Sequence, residues 1–397
     1  MTATEVLIPA DVRFPLERAN GVQVVKTAAA LAAAGTRTTL LVRQSDPRPT
    51  DEVLALYGVA PSDRLQVRRL DVGHRTGTFA LPRARFLLRA GLTGWRALRA
   101  RSVVFTRDLQ LADLLLRASA GPLVYEAHAV EALMYRERGT IYGTNEAPDP
   151  AKADRIAARE ARLWRRAAGF VATTAGILES FAAAHGPRDR TRVIPNGTDV
   201  PADRAFPGLA RETPPRILYA GQLYPWKGVD VLVRAMAAVP EARLVILGGL
   251  RGEPDERRIA ALVESCGLAA RTEMAGTVPP TRVADELARA AAVVAPFLHT
   301  AMSERHTSPL KAFEAMAAGR PLVASDLPAS REFLRHEQNA LLVPPGDDAA
   351  LGGALARLLR EPALAERIAR AAFEEAPRYS WAARAAALRG LFDEVRG

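Results

Sequence analysis

The chain has 397 residues, of which 49% are hydrophobic and 25% charged, with a formal net charge of +10. That balance is globular and, at a prior of about 150 residues per domain, points to two or three domains; it excludes a disordered or collagen-like chain. The one cysteine, Cys266, excludes an internal disulfide and reads as a small buried apolar side chain in a reducing compartment, and the six histidines show no metal-ligand spacing.

The opening residues lack a basic region ahead of Val6-Leu7-Ile8, and no apolar run approaches the roughly 18 residues of a membrane span, so neither signal peptide nor spanning helix is expected and a cytoplasmic location is. Charge is unevenly placed. Residues 1–200 carry 29 Lys plus Arg against 20 Asp plus Glu, whereas the remainder carries 25 against 24. A basic half points to an anionic partner, either a membrane surface or a phosphorylated substrate; no nucleic-acid motif accompanies it.

In chain order, Val6-Leu7-Ile8-Pro9 reads as a first buried strand. Asn20-Gly21-Val22 opens an Ala-rich helix ending at Gly35, and Thr38–Val42 follows as strand two. Gly21 is thereby placed in a strand-to-helix loop where backbone can approach a ligand, but the three-glycine dinucleotide fingerprint is missing. Further strands are expected at 65–70, 102–106, 123–126, 170–173 and 192–194, with helices near 109–119, 152–167 and 175–185. Such alternation argues a doubly wound parallel sheet. Pro201 to Pro215 holds four prolines without periodicity and reads as a linker. The pattern restarts at Arg216–Ala220, with strands near 243–247, 272–275, 292–295, 322–324 and 341–343, and a last helix near 380–395. The domain reading is 1–200, a linker at 201–215, 216–379, and a final helix at 380–397.

Two stretches carry chemistry. Thr307 to Pro321 reads as a helix with Ser308 as cap and Pro309 at its first position, stopped by Gly319 and Pro321. Leu310, Phe313, Met316 and Ala317 share an apolar face, while Lys311 and Glu314 lie three apart on another. A helix start favours an anion and Lys311 adds a full charge; Glu314, one turn deeper, can accept from hydroxyls. A nucleoside diphosphate would lie this way, although a capped amphipathic helix with a lysine is also an ordinary structural element. Only four of the 54 basic residues are lysine: Lys26, Lys152, Lys227 and Lys311. In so arginine-biased a chain, a retained lysine marks a place for a compact ammonium. His128, after the strand at 123–126, sits at a parallel strand's carboxyl end, where ligands gather.

Gly221-Gln222-Leu223-Tyr224-Pro225-Trp226-Lys227-Gly228-Val229-Asp230 and the Thr307-Ser308-Pro309-Leu310-Lys311 helix about 80 residues later resemble the two donor-site motifs of family-4 type glycosyltransferases. The resemblance is to a bacterial branch whose second motif reads Thr-Ser-Pro-Leu-Lys. Val193 to Asp199 resembles the family's signature before its second domain. The resemblance implies the GT-B architecture, two Rossmann-like doubly wound domains facing a cleft, with the last helix crossing back to the first. It implies retaining sugar transfer from a nucleotide-diphosphate sugar to an acceptor that the sequence does not identify, without a metal or other cofactor. Lys227, Lys311 and the helix start at Ser308-Pro309-Leu310 would meet the leaving diphosphate. Glu314 would hold ribose hydroxyls, Thr277-Val278 would contact the base, and His128 would lie near the donor sugar. Gly21, Gly221, Gln222, Val278, His306 and Thr307 complete the expected donor-binding set. Two residues depart from the family pattern: His306 stands where an acidic residue is usual, and Gln222 where arginine is common. The competing expectations are a sugar-nucleotide epimerase of the same fold and a catalytically silent nucleotide-sugar-binding protein.

Residues 75–101 carry seven arginines (75, 83, 85, 89, 96, 99 and 101) and no acid, interleaved with Phe79, Leu81, Phe86, Leu87, Leu88, Leu92, Trp95 and Leu98. That pattern describes either an interfacial helix on an anionic membrane or a core-packed helix with a solvated basic face, and Gly91 and Gly94 argue against continuity.

Overall fold

The computed structural model describes residues 4–15, 19–73, 80–144, 146–210 and 212–397. Arg75 and Phe79 lie outside them. The chain forms two compact units, one of Met1–Ala132, Asp149–Gly197 and Trp381–Gly397, the other of Leu133–Pro148 and Thr198–Ser380.

The first unit holds seven parallel strands: β1 (Glu5–Phe14), β2 (Arg37–Gln44), β3 (Leu65–Leu70), β4 (Val103–Thr106), β5 (Leu123–Ala127), β6 (Gly169–Ala172) and β7 (Thr191–Val193). Their order is β3-β2-β1-β4-β5-β6-β7. β4, β5 and β6 are buried on both faces, as continuous apolar runs in a covered parallel sheet must be. Helices cover the two faces: Val24, Ala28 and Leu31 of the Ala19–Ala33 helix and Leu388 and Phe392 of the Trp381–Arg396 helix enter one core, Phe86, Leu111, Leu115 and Trp164 the other.

The second unit has six parallel strands: β8 (Arg216–Ala220), β9 (Arg243–Leu247), β10 (Thr272–Gly276), β11 (Ala292–Ala295), β12 (Leu322–Ser325) and β13 (Leu341–Val343), in the order β10-β9-β8-β11-β12-β13. In each sheet the strand order reverses once, at β1/β4 and at β8/β11. Beyond the carboxyl ends of such a pair the outgoing loops diverge and leave a crevice.

Several expectations are corrected. Gly21 is not in a loop but in the first turn of the Ala19–Ala33 helix, where it is buried. Cys266 is exposed, not buried; it caps the Pro254–Ser265 helix at the surface. Residues 80–99 form one unbroken helix through Gly91 and Gly94. The glycines are contact points: a Cβ at 94 would lie 3.0 Å from a Leu115 methyl, and one at 91 would lie 3.2 Å from Leu114. Close packing on the Leu109–Ala118 helix outweighs the helix cost of glycine, about 1 kcal/mol each. Nor are all seven arginines available, because Arg83 is held by Asp108 (2.9 Å) and by Asp11. Of the segment's described aromatics, Phe86 is fully buried and Trp95 packs on the core.

Candidate functional site

In the second unit the loops after β8 and β11 carry both motifs. The β8 loop turns through the short helix Pro225–Lys227 and reaches Gly228 in the left-handed region (φ 67°). A Cβ there would meet the Pro296 carbonyl oxygen at 1.8 Å. Only glycine lets the β8 loop press onto the β11 loop, and Leu298 N–H then donates to the Trp226 carbonyl at 2.9 Å. The contact places the Lys227 ammonium 3.8 Å from the Trp226 ring centre and 4.6 Å from that of Phe297. Two ring faces attract a cation, yet neither is a counter-ion. The residue as a whole is half-buried, and burial pushes its ammonium down to about 7. Tyr219 donates to the Gln222 carbonyl at 2.6 Å, fixing Gly221 and Gln222.

The β11 loop runs through the Ala301–Arg305 helix, capped by Thr300 with Ser303 in return, to the helix Leu310–Ala317. That helix begins one residue later than expected. Pro309, not Ser308, is the N-cap, with extended φ and ψ of −83° and 112° and no side-chain cap bond. Proline at the cap has no N–H to lose, and its carbonyl accepts from Ala312 at 3.1 Å. Leu310, Phe313 and Met316 are buried, and Phe313 stacks on Tyr379 at 4.7 Å. On the opposite face Lys311 and Glu314 are not independent, for Lys311 donates to Glu314 at 2.7 Å. Both are partly exposed, at 36% and 23% of their side chains, so an entering anion or hydroxyl can compete for either.

His306 is 2% exposed and neither ring nitrogen has a hydrogen-bond partner among the described residues. Burial, with Arg305 adding repulsion, lowers it to about 4, so it is neutral at physiological pH. Thr307 is anchored through its hydroxyl to the Met302 carbonyl (2.8 Å). Val278, just after β10, is half-buried against the core, and Thr277 donates to the Gly249 carbonyl at 3.2 Å. Gly221, Gln222, Lys227, Thr277, Val278 and residues 306–311 thus all follow the carboxyl ends of this sheet, with the β8 and β11 loops locked together at its reversal.

In the first unit His128 follows β5, and Gly21 lies in the helix that follows β1. His128 Nε2 is 3.0 Å from the Glu126 carboxylate but is not aligned as a hydrogen bond. Burial and then Arg107 lower the imidazole to about 4, against the pull of Glu126. Glu126 accepts from Arg384 and from Gln23 (3.1 Å), and Gln23 accepts from Arg107 at 3.2 Å. A small cavity beside β1 and β4 is lined by Gln23, Thr27, Thr106, Arg107 and Glu126. Glu131 is raised to about 7 by burial and by Asp108, against Arg107 and Arg83. Phe297, Glu126, Glu131 and Arg384 escaped the sequence reading. Phe297 carried one signal, its position just past an apolar strand.

Two family models match: the "Glycosyl transferase 4-like domain" over residues 20–197 and "Glycosyl transferases group 1" over 202–375. The chain belongs to this glycosyltransferase family. A D-inositol 3-phosphate glycosyltransferase of Xylanimonas cellulosilytica is 31% identical over 69% of this chain and 66% of its own length. A phosphatidyl-myo-inositol mannosyltransferase of Mycobacterium leprae is 36% identical over 51% and 53%. The matched part is therefore between about half and two thirds of these relatives' length. Among solved structures, the sucrose-phosphate synthase of Thermosynechococcus elongatus superposes with a TM-score of 0.75 at 23% identity over 99% of both chains. HepE of Anabaena, solved with UDP and glucose, superposes at 0.72 with 16% identity over 98% and 99%. These neighbours place the chain's two parallel-sheet units in the GT-B fold class.

Proposed function

We propose that the protein is a retaining glycosyltransferase that moves a sugar from a nucleotide-diphosphate sugar to a polyol or sugar acceptor. The observation that carries this reading is the locked pair of loops at β8/β11. They present an ammonium over the faces of two adjoining rings, with no carboxylate partner among the described residues, and, on the next helix, a second ammonium paired to Glu314. As the sugar bond breaks, charge builds on the leaving diphosphate. Lys227, Lys311 and the amides opening the Leu310–Ala317 helix would meet it, so no metal is required of the mechanism. Diphosphate arriving at Lys311 would release Glu314 to accept from ribose hydroxyls, and His306, buried with both nitrogens unpartnered, is the group that substitutes for the usual acid toward the donor sugar. Uridine is the favoured base because HepE is described with UDP and with UDP-glucose. The experiment is donor turnover followed by nucleotide release, with and without chelator. UDP release unchanged by EDTA supports the reading. Tight binding without turnover would favour a silent binding protein, and epimerised donor an epimerase.

The acceptor side would work at an anionic membrane surface. Leu81, Leu88 and Leu92, 55%, 73% and 47% exposed, fall in line on the Ala80–Arg99 helix, with exposed Arg85, Arg89, Arg96 and Arg99 near that line. No helix among the described residues is long and apolar enough to cross a membrane, so attachment through this face would be peripheral.

A further inference from the structure

Glu126 is an unusual residue to find in the interior of a sheet. It is 2% exposed at the end of β5 and is the meeting point of three elements. Arg384, 3% exposed on the carboxyl-terminal helix, donates to it. The same guanidinium donates to Thr27 (3.1 Å) and to the carbonyls of Ile194 (3.0 Å) and Pro195 (2.9 Å). Gln23 donates from the helix after β1. A carboxylate held this way cannot rotate, and its second oxygen, Oε2, stands 3.0 Å from His128 Nε2. A carboxylate can only accept, so a neutral imidazole beside it gains by keeping its proton on the facing nitrogen. A small ring rotation then aligns that proton on Oε2.

We propose that Glu126, fixed by Arg384, is a positioning residue that sets His128 as its Nε2-protonated tautomer, leaving the Nδ1 lone pair to accept a hydrogen bond from a hydroxyl of the donor sugar. This rests on the proposed transfer and on the family resemblance, which implies that His128 lies near the donor sugar. It adds a specificity: an accepting nitrogen favours a sugar carrying a hydroxyl at the contacted carbon, and rejects one carrying a carboxylate, which would leave two acceptors face to face. Glu126 touches no substrate in this account and acts only through the imidazole.

The test begins without turnover. In protein labelled with 15N-histidine, long-range 1H–15N correlation at neutral pH distinguishes the two neutral tautomers, and a His128→Phe spectrum identifies the His128 signals. The expected result is protonated Nε2 and bare Nδ1. Protonated Nδ1, an even mixture of tautomers, or a charged ring overturns the proposal, whether or not the protein proves to be a transferase. The second measurement compares kcat/KM for a UDP-hexose and the matching UDP-hexuronate. Glu126→Gln can turn its amide N–H₂ toward the ring and draw the proton to Nδ1, so the hexose preference should fall about tenfold or more. Loss of activity toward both donors in equal proportion would show a purely structural role. If Glu126→Gln does not fold, the wild-type spectrum decides alone. If no sugar nucleotide binds at all, the functional reading fails while the tautomer result still stands or falls independently.

Discussion

In the proposed transfer, the protonation state of Lys227 would govern the chemistry. Burial holds its ammonium at about 7 in the free protein, below the ordinary lysine value. Only the charged form can meet a diphosphate, so kcat/KM, which reports the free enzyme, should fall by about tenfold per unit as pH rises above about 7. The bound diphosphate favours the charged form, so the limb in kcat lies higher. His128 and His306 are already neutral there and contribute no limb. Lys227→Arg keeps its charge and should remove the limb while lowering the maximum, since a planar guanidinium does not seat over the two ring faces as a compact ammonium does. A flat wild-type profile from about pH 6 to about pH 9 would contradict the assignment.

Lys311 offers a second check at the same scale. Lys311→Ala should lower turnover by about 10²-fold, the usual loss for one preorganised donor, and Lys311→Arg should also be impaired. If Glu314 accepts from ribose hydroxyls as proposed, Glu314→Gln should weaken nucleotide binding by about 1.5–3 kcal/mol in calorimetry. Equal affinity for ribo- and 2′-deoxyribonucleotides would count against that contact.

At the scale of elements, the Ala80–Arg99 helix is positioned by glycines that its exposed face does not need. Gly94→Leu should cost about 1–3 kcal/mol in urea denaturation, because Leu115 is fully buried and cannot withdraw. Arg96→Ala on the exposed side should stay within about 0.5 kcal/mol. The same helix predicts co-sedimentation with anionic but not neutral vesicles, at about 1 kcal/mol per basic residue near the surface and weakening with salt. Arg85, Arg89 and Arg96 changed together to Gln should release it. No binding at low salt would leave the leucine line without this partner.

Over the whole molecule, Arg384 ties the last helix to Glu126 and to the chain at Ile194 and Pro195. Burial alone would raise the Glu126 carboxyl, but Arg384 and then His128 outweigh it and hold the group well below the usual carboxylate range. A depressed folded value means that the stabilisation is fully present above the unfolded value, near 4.3, and is lost as pH falls toward the folded one. Arg384→Met should therefore cost about 3–5 kcal/mol at neutral pH by stranding a buried carboxylate, and should flatten the dependence of stability on acid pH. The sheet was legible in the chain because parallel strands buried on both faces are short apolar runs, as at β4, β5 and β12. Lys227 and the 306–311 stretch were legible by motif, but their surroundings were not. Phe297 reaches Lys227 because Gly228 packs on Pro296, a contact between loops that no periodicity encodes. Arg384 and Glu126 are 258 residues apart in sequence. The late helix start at Leu310 and the exposed Cys266 were set by local backbone and surface placement, which residue type alone left open.

The central claim is that locked loops with two lysines drive departure of a nucleoside diphosphate from a sugar. The most direct measurement is 1H NMR of UDP-glucose incubated with wild-type protein, with and without a polyol acceptor, beside the Lys227→Ala and Lys311→Ala variants. UDP release is expected, with a transferred or hydrolysed sugar that keeps the α configuration when first formed, and a loss of about 10²-fold or more in each variant. Unchanged donor, with UDP-, GDP-, ADP- and dTDP-sugars alike, or equal rates in wild type and both variants, would contradict it.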